Sequence, residues 1–340
     1  MAIFNFLQKD IAIDLGTMNT LCYVDGKGIT INESSMVAID VNTGRIIAVG
    51  EEAFILFGKT PQNITIMKPL EEGVIRDYEI TQTMLRYFLD KSRNGVSLLQ
   101  PRALVTIPAS ITDVEKRAVE DAALQAGARD IVLVPETLAT AVGMGLDAFS
   151  AKGSLVLNLG AGTCECSVVS LGGVVSSKSI GFGSEKINSI INQEIKDFYS
   201  LQISFEEEER IKKEIISIEE YKENVSFDVS GRDKVTYLPT IKQVDSSILN
   251  AKIREAFLVV VDLVRDVLER TPPSLSKDIL DNGIYISGGL SRINGLKPFL
   301  SKYLNYRLNF DENPETSTAE GIGQLLKRYN SLKERRKRTR

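Results

Sequence analysis

The 340-residue chain contains no histidine, which excludes any reaction needing a histidine base and any metal site built on imidazole. Cysteine is scarce. Cys22, Cys164 and Cys166 fall in or beside apolar runs without metal-ligand spacing, so they read as small buried residues in reducing surroundings. No apolar run is long enough to cross a bilayer, and no signal peptide is evident. Two common phosphate motifs are missing as well. No G-x-x-x-x-G-K-[ST] occurs, so a P-loop NTPase is unsupported. Gly160-Ala-Gly162 breaks off before the third glycine of a Rossmann fingerprint.

What is there is an ordinary globular composition, 43% hydrophobic and 25% charged, in a chain long enough for two domains. The net charge of −4 hides an asymmetry. Lys327 to Arg340 carry eight Lys or Arg against one acid, a net +7, which leaves −11 on the remainder. An acidic body makes nucleic acid an improbable target for the folded part.

Two stretches organise the chain. Ile11-Ala-Ile-Asp14-Leu-Gly16-Thr17-Met-Asn19-Thr20 reads as a buried strand, a tight glycine turn and a second strand. Leu155-Val-Leu-Asn158-Leu-Gly160-Ala-Gly162-Thr163 repeats it, with hairpin glycines Gly172-Gly173 further on. Backbone N–H groups in such turns form anion-binding nests, so two of them suggest an internal duplication gripping one phosphate tail from both sides. Gly283 to Leu290 gives a third strand-to-glycine turn.

Between the turns the pattern alternates strands and helices. Helices are expected at Glu51–Gly58, from Asp77 or Thr81 to about Lys91, and from Thr112 to Ala126, where Thr112 and Glu115 make a capping box. Ser204 and Glu207 predict a second box. Asp130–Val134 reads as a strand leading through Pro135 and Glu136 into the helix Leu138–Gly143, so Glu136 stands at a helix N-terminus that favours its negative form. Tyr221–Val244 reads as β-rich with a turn at Ser230–Asp233, followed by one long helix from Ser246 to about Arg270 and a last helix near Thr318–Tyr329.

These stretches resemble the actin–Hsp70–sugar kinase superfamily and, within it, the MreB family of bacterial actins. Besides the first turn, the resemblance is carried by Met67–Ile75, Met84–Phe88, Val114–Val119, Gln125–Arg129, Ser170–Val175 and Ile286–Gly289, over nearly the whole chain. It implies an α/β actin-like fold, a duplicated ribonuclease H-like plan of two domains, each with two subdomains, around a nucleotide cleft. The implied divisions are 1–32, 67–143 and 316–340 for subdomain IA, 33–66 for IB, 144–180 and 244–315 for IIA, and 181–243 for IIB.

The resemblance further implies that ATP or ADP binds with Mg²⁺. Gly16, Thr17, Met18, Asn19 and Thr20, with Asn158, Gly160, Ala161, Gly162 and Thr163, would hold phosphates. Glu209, Arg210, Ile211 and Lys212 would lie by ribose and base, although spacing alone reads Glu208–Lys212 and Glu209–Lys213 as solvated i,i+4 pairs. Gly288, Gly289, Leu290 and Ser291 would line the adenosine. Glu136 and Thr163 match the residues that orient the attacking water, and Asp14 matches the acid that holds Mg²⁺ through water. The family usually carries aspartate where this chain has Asn158, glycine at Ala161, threonine at Cys164, proline at Thr137 and commonly glycine at Leu290. Retained nucleotide binding with weakened Mg²⁺ affinity and hydrolysis is expected from those departures.

The implied activity is slow ATP hydrolysis coupled to homopolymerisation in paired protofilaments, governing cell shape, with other bacterial actin paralogues as further partners. A non-hydrolysing filament subunit is the alternative. A small-molecule kinase would need a base beside an acceptor pocket, for which no candidate residue is seen; an Hsp70-like chaperone would need a further domain. An anionic membrane surface at the inner face of the cell membrane is a second expected partner. Arg335, Arg336, Lys337, Arg338 and Arg340 would engage it electrostatically, with Phe4 and Phe6 near the N-terminus or Leu98 and Leu99 in a loop inserting into lipid. The bland readings are a solvated tail, a frayed end and a loop buried against a neighbour.

Overall fold

The computed structural model describes residues 10–93, 100–220 and 223–339. The first half opens with the meander β1 (Ile11–Leu15), β2 (Asn19–Val24) and β3 (Gly28–Ser34). A small excursion follows: β4 (Val37–Asp40), β5 (Ile46–Val49), α1 (Glu51–Leu56) and β6 (Ile64–Met67). The chain returns through β7 (Leu70–Glu71), β8 (Val74–Ile75), α2 (Tyr78–Arg93), β9 (Arg102–Ile107), α3 (Asp113–Gln125), β10 (Asp130–Pro135) and α4 (Glu136–Gly143). The second half opens with β11 (Ser154–Leu159), β12 (Cys164–Ser170) and β13 (Gly173–Ile180). Its own excursion holds α5 (Ser184–Tyr199), β14 (Leu201–Gln202), α6 (Phe205–Glu214), β15 (Ser226–Asp233) and β16 (Pro239–Asp245). Then come α7 (Ser246–Ala256), α8 (Leu258–Glu269), α9 (Pro273–Asn282), β17 (Ile284–Ser287), α10 (Leu296–Tyr303), β18 (Leu308–Phe310), α11 (Ser317–Leu325) and α12 (Tyr329–Thr339).

The two large sheets have one plan. Their strand orders are β3-β2-β1-β9-β10 and β13-β12-β11-β17-β18, with the same antiparallel and parallel pairings. The duplication holds residue by residue. Asp14 lies opposite Leu21 across the first hairpin as Asn158 lies opposite Glu165 across the second. Gly16 N–H closes the first turn on Asn19 O at 3.1 Å, and Gly160 N–H closes the second on Thr163 O at 2.9 Å. Central strands such as β9 and β12 are apolar or small apart from Arg102 and Glu165, because both faces are covered. The three cysteines are free and buried, Cys164 and Cys166 in one core cluster.

Each sheet has its own core, and a third lies between them around α4 and α11. These two helices touch backbone to backbone. A Cβ on Gly143 would run into Ser317 O, and one on Gly321 into Ala139 O. The Thr140 and Thr318 hydroxyls bond at 2.9 Å beside that crossing. The small-residue run from Leu138 to Gly143 is therefore a packing device that lets the two halves meet closely.

Several expectations change. The helix expected from Ser246 to about Arg270 is two helices, broken at Phe257, whose buried ring packs edge-on against Phe182 and Phe299. Ser230–Asp233 is strand, not turn; the reversal lies beyond it, where Asp233 Oδ1 accepts from Val235 N and Thr236 N, both at 2.9 Å. The Thr112–Glu115 capping box forms, but the second is half-made. Ser204 caps Glu207 N, while the Glu207 carboxylate turns to Arg210 and Ser230 N. The basic tail is helical through Thr339, and α9 and α10 were not anticipated. The loop residues Leu98 and Leu99, the N-terminal Phe4 and Phe6, and Arg340 lie outside the described residues.

Candidate functional site

The two glycine turns face each other across a cavity of about 420 Å³ between the halves. A Cβ on Gly162 would stand 2.7 Å from Thr17 Oγ1, so the tips of the hairpins are in contact range. The second turn is braced from behind by α5, whose Ser184 and Glu185 N–H groups donate to Gly160 O and Ala161 O at 3.1 and 3.0 Å. Ala161 has no left-handed φ, so alanine sits there without backbone strain. Gly288, with φ of 84°, brings the third turn against Asn158, where a Cβ would meet Oδ1 at 2.7 Å.

Acids form the floor. Thr106 Oγ1 donates to Asp14 Oδ1 at 2.8 Å and accepts from Leu15 N at 3.0 Å, tying β9 to the end of β1. Burial pushes the Asp14 carboxyl up to about 6, against the Thr106 hydrogen bond. Glu136 is the first residue of α4, and Asn158 Nδ2 donates to its Oε1 at 2.6 Å. Burial first, then the charges of Asp14 and Glu165, raise Glu136 well above the usual carboxyl range. Desolvation thus outweighs the helix terminus that was expected to favour its ionised form.

Glu165, on β12, was not singled out from sequence. Its Oε1 accepts from Ala109 N at 3.2 Å, Thr137 Oγ1 at 3.1 Å and Ser167 Oγ at 3.0 Å. Burial lifts its carboxyl to about 7, against those bonds. Its Oε2 and Asn158 Oδ1 are buried with no hydrogen-bond partner among the described residues. None of the three acids forms an ion pair with a described residue.

At the far end of the cavity, Glu209, Lys212 and Lys213 project from α6 toward Gly288, Gly289 and Leu290. Lys212 is buried, which depresses its ammonium pKa against the pull of Glu209. Glu209 makes the expected i,i+4 pair with Lys213, also pairs with Lys212 and accepts from Asn188 Nδ2 at 2.8 Å; the solvated-face reading fails at Lys212, which is buried. Glu208 turns instead to Asn192.

Of the residues expected at the site, Asp14, Gly16, Thr17, Met18, Asn19, Glu136, Asn158, Gly160, Ala161, Gly162, Thr163, Glu209, Lys212, Gly288, Gly289 and Leu290 line this one cavity. Four do not. Thr20 is turned into β2, where its hydroxyl bonds Ser35 Oγ at 2.8 Å. On α6 the residues between Glu209 and Lys212 point elsewhere: Arg210 to Glu207 and Asp228 O, Ile211 into the core. Ser291 lies behind the third turn, its N–H on Gly288 O at 2.9 Å. The cavity adds Thr106, Lys213 and Thr318. Lys213 was legible as the i,i+4 partner of Glu209. Glu165 was legible as an acid inside a small and apolar strand. Thr106 needed the strand pairing.

Side chains from the two excursions also meet, outside the lining of this cavity. Phe205 packs edge-on against Phe54 and Phe57, centroids 6.1 and 5.4 Å apart. Lys59 reaches Glu206 at 3.6 Å, and Lys68 pairs with Glu185.

Comparison with known proteins is consistent along the whole chain. Residues 8–334 match the family model described as MreB/Mbl protein. The cell shape-determining protein Mbl of Bacillus subtilis (strain 168) is 39% identical over 328 residues, 96% of this chain and 98% of that one. The cell shape-determining protein MreB of Escherichia coli (strain K12) is 36% identical over 324 residues, 94% of this chain and 93% of that one. The crystal structure of MreB 5 of Spiroplasma citri bound to AMPPNP superposes with a TM-score of 0.88 at 30% identity, covering 96% of this chain and 98% of that one.

Proposed function

The chain belongs to the MreB/Mbl family, and from that footing we propose that it is an ATP-binding, filament-forming bacterial actin that governs cell shape, with slow ATP hydrolysis coupled to polymer turnover. The observation that carries the reading is the facing of Thr17 and Gly162 above a floor of Asp14 and Glu136. Two opposed turns suit a polyphosphate, and Glu136 with Thr163 suits a water placed in line behind it. The AMPPNP bound to the Spiroplasma citri relative supports the nucleotide class. The subdomain divisions given above stay part of the proposal; the small sheets β5-β4-β6 and β14-β15-β16 support IB and IIB.

The donor set fits a hydrated Mg²⁺. Three buried or half-buried acids and Asn158 Oδ1, without a cationic or hydrogen-bond partner respectively among the described residues, offer hard oxygen chemistry. No described group of three or more Asp, Glu, Cys or His is placed to hold a metal directly, as suits an ion held mainly by water and phosphate. Asp14 would hold it through water, and Asn158 would face it with one charge fewer than aspartate. Bound there, it would supply positive charge against the phosphates. Glu136 can take a proton from water only when ionised, and Asn158 Nδ2 holds the carboxylate oriented for that.

The raised Glu136 and the amide at 158 favour one second reading, a filament subunit that binds ATP without turning it over. Negative-stain microscopy with and without ATP, paired with a phosphate-release assay, tests both. Paired straight filaments with phosphate release support the main reading. Filaments without release support the second. No filaments under any condition defeat both.

The polymer is proposed to act at the inner membrane face. Arg335 is withdrawn from the proposed anchor, since its guanidinium donates to Leu171 O at 2.6 Å and lies over the Phe149 ring. Arg336, Lys337, Arg338 and Arg340 remain, with Phe4, Phe6, Leu98 and Leu99 as the alternative apolar anchors.

A further inference from the structure

We propose that Thr137 and Glu165 are a positioning pair for Glu136, formed by this chain in place of the proline its resemblance leads one to expect. The inference rests on the reading that Glu136 orients the attacking water.

Glu136 opens α4 behind Pro135, and that helix start has no side-chain cap. The first turn is tethered sideways instead. Thr137, fully buried, donates its hydroxyl to Glu165 Oε1 at 3.1 Å. Proline at 137 has no hydroxyl to give. Glu165 stands directly opposite Asn158 in the β11–β12 pair, so the two side chains share a face. Asn158 in turn donates to Glu136 at 2.6 Å. The result is a closed ring. Glu136 is held by its carboxylate through Asn158 and by its backbone through Thr137, and the β11–β12 ladder joins the two holds.

The duplicated hairpin shows that the acid is no requirement of the turn. Leu21 occupies the equivalent place opposite Asp14 in the first half and accepts no hydrogen bond. Glu165 also spends its bonding on one side. Among the described residues, three donors converge on Oε1 and none on Oε2, so the hydroxyl of Thr137 is one of the three groups there that fix where the carboxylate sits. Asn158 and Thr137, both departures from the family pattern and both flanking Glu136, are members of the same ring.

The test compares the full chain with Thr137→Val, Thr137→Ser and Glu136→Gln, measuring phosphate release at saturating ATP and, separately, the affinity for a fluorescent ATP analogue. The valine variant is expected to lose about tenfold in kcat with affinity within about twofold, since misplacing one catalytic group acts on the transition state more than on binding. Serine is expected to restore the rate. If the valine variant fails to fold, Thr137→Ala, which removes the same donor without filling its space, carries the same expected loss. A valine variant at the unaltered rate beside an inactive Glu136→Gln overturns the positioning role alone. Equal losses in kcat and affinity that serine does not repair reduce Thr137 to a structural role and overturn it as well. An active Glu136→Gln instead removes the catalytic reading beneath it.

Discussion

The side-chain amide of Asn158 donates to Glu136 Oε1 across 2.6 Å, inside a floor shared with the half-buried Asp14 and the buried Glu165. Asparagine here is more than a lost carboxylate, because it supplies the donor that makes a buried Glu136 tolerable. Aspartate would bring two carboxyl oxygens to the same separation, where both cannot ionise at ordinary cost.

Asn158→Asp should therefore lower the stability of the nucleotide-free protein by about 2 kcal/mol at pH 8, with the loss shrinking toward pH 5 as the pair shares a proton. With ATP and Mg²⁺ the same variant should bind Mg²⁺ more tightly and release phosphate faster. Thermal melts at the two pH values, with and without Mg²⁺–ATP, read both effects. Identical melts at pH 8 would contradict the role given to the amide.

The acids also set the pH dependence. Asp14 is raised from 3.8 to about 6, Glu165 from 4.5 to about 7, and Glu136 well above its usual range, all chiefly by burial. The folded chain then binds more protons than the unfolded one between about pH 4 and pH 7. This contribution to stability is complete below about pH 4 and is lost as pH rises through 6 and 7. The melting temperature of the nucleotide-free protein should fall by at least about 5 °C between pH 5 and pH 8, since Asp14 and Glu165 each cost on the order of 3 kcal/mol when ionised in place. Glu165→Gln should flatten the fall; an unchanged slope in that variant would remove Glu165 as a source.

Between the two excursions, Phe205→Ala removes both edge contacts to Phe54 and Phe57. Each such pair contributes about 0.5–1.5 kcal/mol beyond buried area. Release of a fluorescent ADP analogue, followed by stopped flow, should accelerate about tenfold. Release at the unaltered rate would mean that the aromatic contact does not restrain opening.

Removing residues 331–340 would be a poor membrane test, because Leu332 is buried and Lys333 pairs with Asp130. A chain ending at Arg335 keeps those contacts and loses four cationic residues, at about 1 kcal/mol each near an anionic leaflet. Its pelleting with phosphatidylserine vesicles at low salt should fall by at least about tenfold, with melting temperature unchanged. Equal pelleting would rule the tail out and leave the apolar anchors to be tested.

The sequence carried the large features well where they depend on local pattern. Both glycine turns, the buried strands before them and the Thr112 cap follow from residue order alone. What escaped it depended on pairing and direction. Thr106 reaches Asp14 only because β9 runs parallel to β1. Arg210 and Ile211 lie between two cavity residues in the sequence yet point away, as neighbours on a helix must. The break at Phe257 has no proline or glycine to announce it; a buried aromatic in the tertiary core marks it.

The crossing of α4 and α11 has a mechanical consequence. Where two backbones touch through Gly143 and Gly321, no side chain is available to yield, so the crossing is a rigid contact. Glu136 heads one arm. The other arm passes through Leu326–Arg328 into α12, whose Tyr329 and Leu332 are held in the same core. α11 packs on β1, β2 and β3, so the basic helix is carried with the first sheet, while α4, packed on β11 and β12 as well as β9 and β10, is the contact through which the second sheet reaches it.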